Sequence, residues 1–216
     1  TGVQTCALPI WVELLAQPGP RLPVVVGGQL ADLGLDLARA ASIKHGLTSA
    51  IFSLEMSRNE IVMRLLSAEA QVPLHHMRSG SMSDNDWTKL ANKMGVVSEA
   101  PLFIDDSPNM TLMEIRAKCR RLKQRHELRL VVVDYLQLMQ AVEKTSDRQR
   151  EVAEIAVGLK SLSKEFNCPV VALSQLSRKV SDRPNKRPMK CMPVLGRNRC
   201  KTWVLLVCKL YKRSTL

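Results

Sequence analysis

Three short apolar runs of this sequence end in acidic or polar residues, and such positions can bind metal ions and phosphate. The runs cover residues 49–54, 131–133 and 169–173, and the residues that follow them are Glu55, Asp134, and Ser174 with Gln175. A carboxylate at the end of a buried strand can hold hydrated magnesium beside a phosphate. An acid there is also a common start of a solvated loop, so this pattern alone leaves both interpretations open.

The elements that must position these residues alternate between apolar strands and amphipathic helices. Strands are predicted near residues 24–26, 49–54, 102–104, 128–133 and 169–173, and helices near 33–44, 57–70, 83 onward, 111–125 and 146 onward. The strands lack a polar face, which is typical of a parallel sheet covered by helices on both sides. The sequence therefore predicts the α/β class, in which ligands bind outside the carboxyl ends of the strands.

Three of the predicted helices carry a recognisable start. Ser57 with Glu60 and Thr111 with Glu114 have the spacing of capping boxes, in which each side chain bonds the backbone N–H of the other residue. Ser83 precedes a third helix with acidic residues in its first turn, where the helix dipole favours them. These signals fix where the helices begin relative to the strands.

Positive charge is concentrated in the C-terminal part of the chain. The formal net charge is +12, and residues 178–216 contain twelve Lys/Arg and one acid, Asp182, so residues 1–177 carry only +1. If the chain binds nucleic acid through its charge, this last stretch must therefore supply that charge. No apolar run is long enough to span a bilayer, and six cysteines lie without a CxxC pair. No membrane association is expected, and a reducing cytoplasm is the expected location.

Six segments in order give the sequence a more specific character. They are IFSLEMS (51–57), MRLLSAEA (63–70), RSGSMSDNDW (78–87), APLFIDDSPNMTLMEIRAKCRRL (100–122), LVVVDYLQLM (130–139) and VVALSQLSR (170–178). This combination resembles the C-terminal motor domain of the DnaB-type replicative DNA helicases, and the resemblance extends over residues 33–189. It implies a RecA-like fold, with a mostly parallel sheet and helices on both faces.

The resemblance implies roles for individual residues, with ATP and Mg²⁺ as cofactors. Glu55 matches the carboxylate that activates the attacking water, Asp134 the acid that organises magnesium, and Gln175 the residue that senses the terminal phosphate. A mobile loop that faces DNA in the family falls on five cations: Arg178, Lys179, Arg183, Lys186 and Arg187. Each assignment has a structural alternative. For Glu55 it is an acid that leads a helix, and for Asp134 it is the start of a solvated loop. For Gln175 it is a cap at the end of a strand, and for the five cations it is a solvated basic surface.

Two classes of function follow from the resemblance. The first is an ATP-driven motor that moves along single-stranded DNA and unwinds duplex as a homohexamer, with primase and a helicase loader as partners, in a bacterial or phage-like cytoplasm. The second is a RecA-fold pseudo-ATPase that binds DNA or a motor partner without hydrolysis. The phosphate-binding loop distinguishes these two functions.

That loop departs from the family pattern. A motor of this kind needs glycines that let backbone N–H groups cradle phosphate, a lysine, and a hydroxyl that binds magnesium. Gly27 and Gly28 are present, but the positions expected to hold Gly-Lys-Ser-Thr are occupied by Gln29, Leu30, Ala31 and Asp32. We expect nucleotide binding at these six residues to be badly impaired, and the activity of the chain with it.

The sequence divides into three parts. Residues 1–10, TGVQTCALPI, resemble the translation of a common sequencing adapter and are expected to be non-native. Residues 11–189 are expected to form part of the motor domain. Residues 190–216 carry seven Lys/Arg and no acid, and this abrupt change in composition predicts an aberrant basic tail that packs poorly. A reading-frame shift in the coding DNA would explain both the tail and the altered phosphate loop.

Overall fold

Apolar runs form the strands of one sheet, and capped helices connect them. The computed structural model describes residues 26–27, 30–140, 148–175 and 204–209, with side chains over 33–140 and 150–174. The strands are β1 Val26–Gly27, β2 Ser49–Ser53, β3 Leu102–Asp105, β4 Leu130–Asp134, β5 Val170–Gln175 and β6 Val204–Lys209. The helices are α1 Leu30–Arg39, α2 Arg58–Ala70, α3 Leu74–Ser79, α4 Asp84–Glu99, α5 Leu112–His126 and α6 Arg148–Phe166.

The six strands lie in the order β1-β6-β5-β4-β2-β3, and every pairing is parallel. Ile51 of β2 pairs with Ile104 of β3 on one side and with Val132 of β4 on the other. All five residues of β2 and of β4 are buried. The predicted α/β class with a parallel sheet is confirmed.

Helices cover both faces of the sheet and enclose two apolar cores. On one face, α5 and α6 pack over β4 and β5, with Leu128, Leu159 and Leu162 fully buried. On the other face, α1 and α2 pack over β2 and β4, with Ile61 and Leu65 at the centre. Alternate residues of each buried strand contribute to opposite cores, so the strands have no polar face.

The helix caps agree with the sequence at two of three positions. Thr111 and Glu114 form the full reciprocal box, and so do Ser83 and Asp86. At α2, Ser57 accepts from the Glu60 amide, but the prediction that the Glu60 carboxylate accepts in return from the Ser57 amide is wrong. That carboxylate accepts from Arg64 Nε at 2.9 Å and from Arg78 instead, because two guanidinium groups offer stronger charge-assisted bonds.

The prediction that residues 190–216 pack poorly is wrong for six of them. Val204–Lys209 form β6, which lies between β5 and β1 and pairs with β5 over six residues. Residues 204–208 are apolar, and valine and leucine are common in buried parallel strands. The basic residues on either side of this run give residues 190–216 a polar average composition, from which the strand was not predicted. Within the described residues, no helix is both long and apolar enough to cross a bilayer.

Candidate functional site

The residues predicted to do chemistry meet at the carboxyl edge of the sheet. Ser53, the last residue of β2, lies opposite Asp134, the last residue of β4. The Leu54 amide extends this ladder by donating to the Asp134 carbonyl at 2.7 Å. Glu55 therefore directly follows a residue, Leu54, that is hydrogen-bonded to the backbone of Asp134.

A short turn fixes the segment that carries Glu55. The buried Ser53 hydroxyl donates to the Met56 carbonyl at 2.8 Å and accepts from the Met56 amide at 3.0 Å. Glu55 lies inside this turn, and its side chain is exposed at the edge of the sheet. The turn holds the carboxylate at a set place without burying it, as a group that acts on a ligand must be held.

Asp134 is only 6% exposed, in contrast to Glu55. The neighbouring Tyr135 responds to both acids, since burial raises the pKa of its phenol, and the negative charges of Glu55 and Asp134 raise it further. Both carboxylates therefore lie within electrostatic reach of one phenol group. Glu55 and Asp134 therefore lie near one phenol group at the same edge of the sheet.

The end of β5 supplies the next polar group along the edge. Ser174 is buried, and its hydroxyl accepts from Gln137 Nε2 at 2.9 Å. Gln137 lies in the single turn of 3₁₀-helix, Leu136–Leu138, that follows β4. Gln175 is the last residue of β5, although its side chain lies outside the described residues. The pattern of apolar runs did not single out Gln137, whose contact depends on the pairing of β4 with β5.

The predicted phosphate loop leads into α1, which packs closely on the sheet. A Cβ placed on Gly34 would lie 3.1 Å from Val132 Cγ1 and 3.3 Å from Leu173 Cδ1. Leu30 begins the helix four residues earlier, about 6 Å along its axis. The N-terminus of α1 therefore points toward the carboxyl ends of β4 and β5, where backbone N–H groups favour an anion.

The side chains at that helix start do not fit a nucleotide phosphate. Gly27 ends β1, and Leu30, Ala31 and Asp32 form the first turn of α1, while Gly28 and Gln29 lie outside the described residues. Leucine supplies no cation, alanine no hydroxyl, and aspartate repels phosphate. In addition, two strands, β6 and β5, lie between β1 and β4. The distance between β1 and β4 is therefore three strand spacings, or roughly 14 Å.

The acidic side of the site fits a hard divalent cation better than the loop fits phosphate. Carboxylate oxygens such as those of Asp134 and Glu55 are the ligands that Mg²⁺ prefers, usually together with water and substrate phosphate. The hydroxyl expected from the loop is absent at Ala31. Among the described residues, no group of three or more His, Cys, Asp or Glu side chains could hold a metal by itself.

Two acids at the end of β3 and a buried thiol have structural roles, and the predicted DNA-facing cations lie outside the described part of the chain. Asp105 and Asp106 have structural partners: Asp105 accepts from Ser107, and Asp106 accepts from the Arg58 amide at 2.8 Å. Burial raises the pKa of the Cys168 thiol to about 11, so it is an inert core residue. The five loop cations Arg178, Lys179, Arg183, Lys186 and Arg187 lie outside the described residues.

Comparison with known proteins decides the family. Residues 28–191 match the DnaB-like helicase C terminal domain. The chain belongs to this family. The replicative DNA helicase DnaB of Mycobacterium intracellulare is 63% identical over 159 residues, which is 74% of this chain and 28% of that protein. The DnaB helicase of Geobacillus stearothermophilus is 47% identical over 156 residues, which is 72% of this chain and 34% of that protein.

Solved DnaB-like structures share the fold. A solved ATPase domain superposes with a TM-score of 0.69 at 28% identity, covering 77% of this chain and 61% of its own. A DnaB-like replicative helicase, described with its interactions with primase, superposes with a TM-score of 0.68 at 24% identity, over 88% of this chain and 52% of its own. The RecA-like fold and the resemblance to DnaB helicases are therefore confirmed. The chain spans about a third or less of the two helicases to which it is similar in sequence.

Proposed function

We propose that this chain is the motor part of an ATP-driven replicative DNA helicase. The observation that carries the proposal is the meeting of Glu55 and Asp134 at one edge of a parallel sheet, within a domain of the DnaB helicase family. The relatives matched by sequence are replicative DNA helicases. A site of this kind binds a nucleotide outside the carboxyl ends of the strands.

Within this proposal the three edge residues have separate roles toward ATP and Mg²⁺. Asp134, buried at the end of β4, organises the magnesium ion. Glu55, exposed beside it, activates the attacking water, and Gln175 at the end of β5 senses the terminal phosphate. The difference in burial supports this division, since a metal ligand gains from a fixed, enclosed carboxylate and a base needs access to water.

The phosphate loop favours a second candidate for the chain in its present form. Leu30, Ala31 and Asp32 cannot replace a lysine and two hydroxyls, so the sequence as it stands fits a non-hydrolysing RecA-fold protein that binds DNA or a motor partner. The acidic residues proposed for catalysis, Glu55 and Asp134, are present, while the residues proposed to bind phosphate are altered. We therefore infer a helicase motor whose nucleotide binding is impaired at residues 27–32.

The partners follow from the same proposal. The motor moves on single-stranded DNA in the cytoplasm, and the cations between Arg178 and Arg187 supply the contact with DNA. Assembly as a homohexamer, with primase and a helicase loader, belongs to the complete protein. A primase interaction is described for one DnaB-like helicase of the same fold, which supports primase as a partner.

Restoring the loop tests the proposal directly. Gln29→Gly, Leu30→Lys, Ala31→Ser and Asp32→Thr together should give Mg²⁺-dependent binding of a fluorescent ATP analogue that the parent chain lacks. Asp134→Asn in the restored chain should abolish the dependence on magnesium. Asp84→Asn is the matched control. Asp84 is an exposed acid in the first turn of α4, not at the end of a strand, so its substitution should leave binding unchanged.

A restored chain that is folded but still fails to bind the nucleotide would contradict the motor proposal. Circular dichroism and a cooperative melting transition, equal to those of the parent chain, establish that the substitutions leave the fold intact. Magnesium-dependent binding by the parent chain itself would instead contradict the inference that residues 27–32 are impaired.

A further inference from the structure

The outer strand of the sheet has an open edge. Among the described residues, β3 pairs only with β2, and all four of its residues are half-buried. An edge strand presents a row of backbone N–H and C=O groups that another extended chain can pair with. Here neither a bulge nor a proline interrupts Leu102–Asp105.

A cavity of about 540 Å³ lies beside this edge, between β3 and α5. Its apolar walls include Phe52, Phe103 and Leu122, and the charged groups Arg58, Lys118 and Arg121 also line it. The volume is within the range that accommodates a ligand or several side chains. The cavity therefore combines apolar surface with cations directly beside an unpaired strand.

Two of these cations, Lys118 and Arg121, belong to α5, a helix of unusual charge. Six Lys/Arg and one acid, Glu114, lie in the fifteen residues of α5. On the side toward α6, Arg116 and Arg120 are neutralised by Glu165 at 3.2 and 2.6 Å. Because residues 1–177 carry a net charge of only +1, the positive charge of this helix is not visible in the overall composition.

The side of α5 toward β3 is neutralised less completely. Lys118 forms an ion pair with Asp105 at 2.5 Å, and Arg58 lies 3.9 Å from Asp106. Arg121 and Arg125 follow Lys118 at helical spacing, are exposed, and have no ion pair within the part of the chain that the structure describes. Two cations are thus left to act on whatever lies along the groove.

We propose that the β3–α5 groove, lined by Phe103, Leu122, Arg58, Lys118 and Arg121, binds an extended acidic segment of a partner protein. The segment adds a strand to β3 through main-chain hydrogen bonds and places an aliphatic side chain in the cavity. Its acidic side chains meet Arg121 and Arg125. Strand addition of this kind draws affinity from the backbone and specificity from pockets for alternate side chains.

A nucleic-acid strand fits the same groove less well. Its backbone cannot complete the ladder of β3, because it lacks alternating amide donors and acceptors. Two aromatic rings line the groove, and neither is free to stack on bases: Phe52 is buried, and Phe103 is in contact with His126 at a centroid distance of 4.9 Å. The combination of sheet edge and apolar cavity therefore favours a peptide over DNA or RNA.

The test uses the full chain and a fluorescein-labelled seven-residue peptide, Thr-Glu-Thr-Val-Thr-Glu-Thr, whose two glutamates and one valine lie on the same face of an extended strand. Fluorescence anisotropy should show saturable binding. Arg121→Glu with Arg125→Glu should weaken binding by about tenfold or more, because attraction becomes like-charge repulsion. Lys44→Glu with Lys89→Glu makes the same change in net charge at exposed positions away from the groove and should alter affinity less than about twofold.

Two further probes, an N-methylated peptide and an oligo-dT, separate strand addition from simple charge attraction. Methylating alternate amide nitrogens of the peptide removes its donors to β3 and should also weaken binding by about tenfold. Binding that is unchanged by this methylation, or by the Arg121 and Arg125 reversals in a chain with the parent's melting curve, overturns the proposal. Displacement of the peptide by an equimolar labelled oligo-dT likewise overturns it and identifies a nucleic-acid surface.

Discussion

Ser53 at the end of β2 and Asp134 at the end of β4 lie opposite each other in a parallel ladder, and the Leu54 amide bonds the Asp134 carbonyl at 2.7 Å. This pairing brings two segments that are about 80 residues apart in sequence to one edge of the sheet. The position of Glu55 relative to Asp134 is therefore set by backbone hydrogen bonds between central strands, the most protected part of such a fold.

The chain as it stands should show no measurable DNA-stimulated ATP hydrolysis. Leu30 occupies the place where a lysine neutralises the terminal phosphates. After restoration of Gly-Lys-Ser-Thr, nucleotide binding should return but hydrolysis should stay low, because charge stabilisation by an arginine from a neighbouring subunit contributes several orders of magnitude in related motors. Coupled-assay turnover by the parent chain that Glu55→Gln abolishes would refute this prediction.

Replacing the five cations Arg178, Lys179, Arg183, Lys186 and Arg187 with alanine should remove most binding of single-stranded DNA. Affinity from phosphate contacts falls with a log–log salt slope of about −0.7 per phosphate neutralised on single strands. The parent chain should therefore bind weakly and salt-sensitively, and the substituted chain should show a flatter salt dependence. Anisotropy titrations of a labelled oligo-dT at several salt concentrations measure both.

The control for this experiment must keep β6, because Val204–Lys209 lie inside the sheet. Truncation before this strand is therefore unsuitable. Alanine at five other C-terminal cations, Lys190, Arg197, Arg199, Lys201 and Lys212, removes the same charge and leaves the β6 sequence intact. Equal losses in the two variants would show that affinity depends on net charge and not on the loop.

Proline at Leu206, in the middle of β6, should destabilise the domain. Leu206 pairs with Ala172 in a strand that also pairs with β1 at Cys208 and Lys209, and proline is found in sheets essentially only on edge strands, at first residues or at bulges. We expect a loss of about 3 kcal/mol, equivalent to roughly 6–12 °C in melting temperature for a chain of this size. Leu206→Val is the matched control and should change the melting temperature little. An unchanged melting temperature for the proline variant would show that the strand does not contribute to the fold.

The ion pair between Asp105 and Lys118 should make part of the stability dependent on pH. Burial acts to raise the pKa of Asp105, but the hydrogen bonds from Lys118 and Ser107 outweigh it and hold the pKa below its usual value. A carboxyl with a lowered pKa stabilises the folded state above the unfolded pKa, and this contribution is lost as the pH falls through the folded value.

Asp105→Asn should therefore lower the free energy of unfolding at pH 7 by up to about 1 kcal/mol, as is typical of partly exposed pairs. The difference from the parent chain should shrink below about pH 4, where the carboxyl becomes protonated in the unfolded state. Urea denaturation at pH 7 and at pH 3 measures it. A difference that is equal at both pH values would mean that the side chain acts by packing and not by charge.

Residue spacing predicted a capping box correctly where no other charged group competed for the carboxylate of the box. Thr111 with Glu114 forms its box because no guanidinium competes for the carboxylate among the described contacts. Glu60 had the same spacing from Ser57, but its carboxylate bonds Arg64 one turn later and Arg78 of the following helix. Residue spacing identifies a possible cap, and the neighbouring charges decide whether it forms.

The sequence by itself determined the class of the fold, the order of most of its elements and the residue types at the ends of the strands, because apolar periodicity and capping act over a few residues. Only the tertiary structure decided that β6 enters the sheet, that Gln137 bonds Ser174, and that the cations of α5 lie beside an open strand edge. These relationships depend on which strands pair and which helix faces meet, and long-range packing sets both.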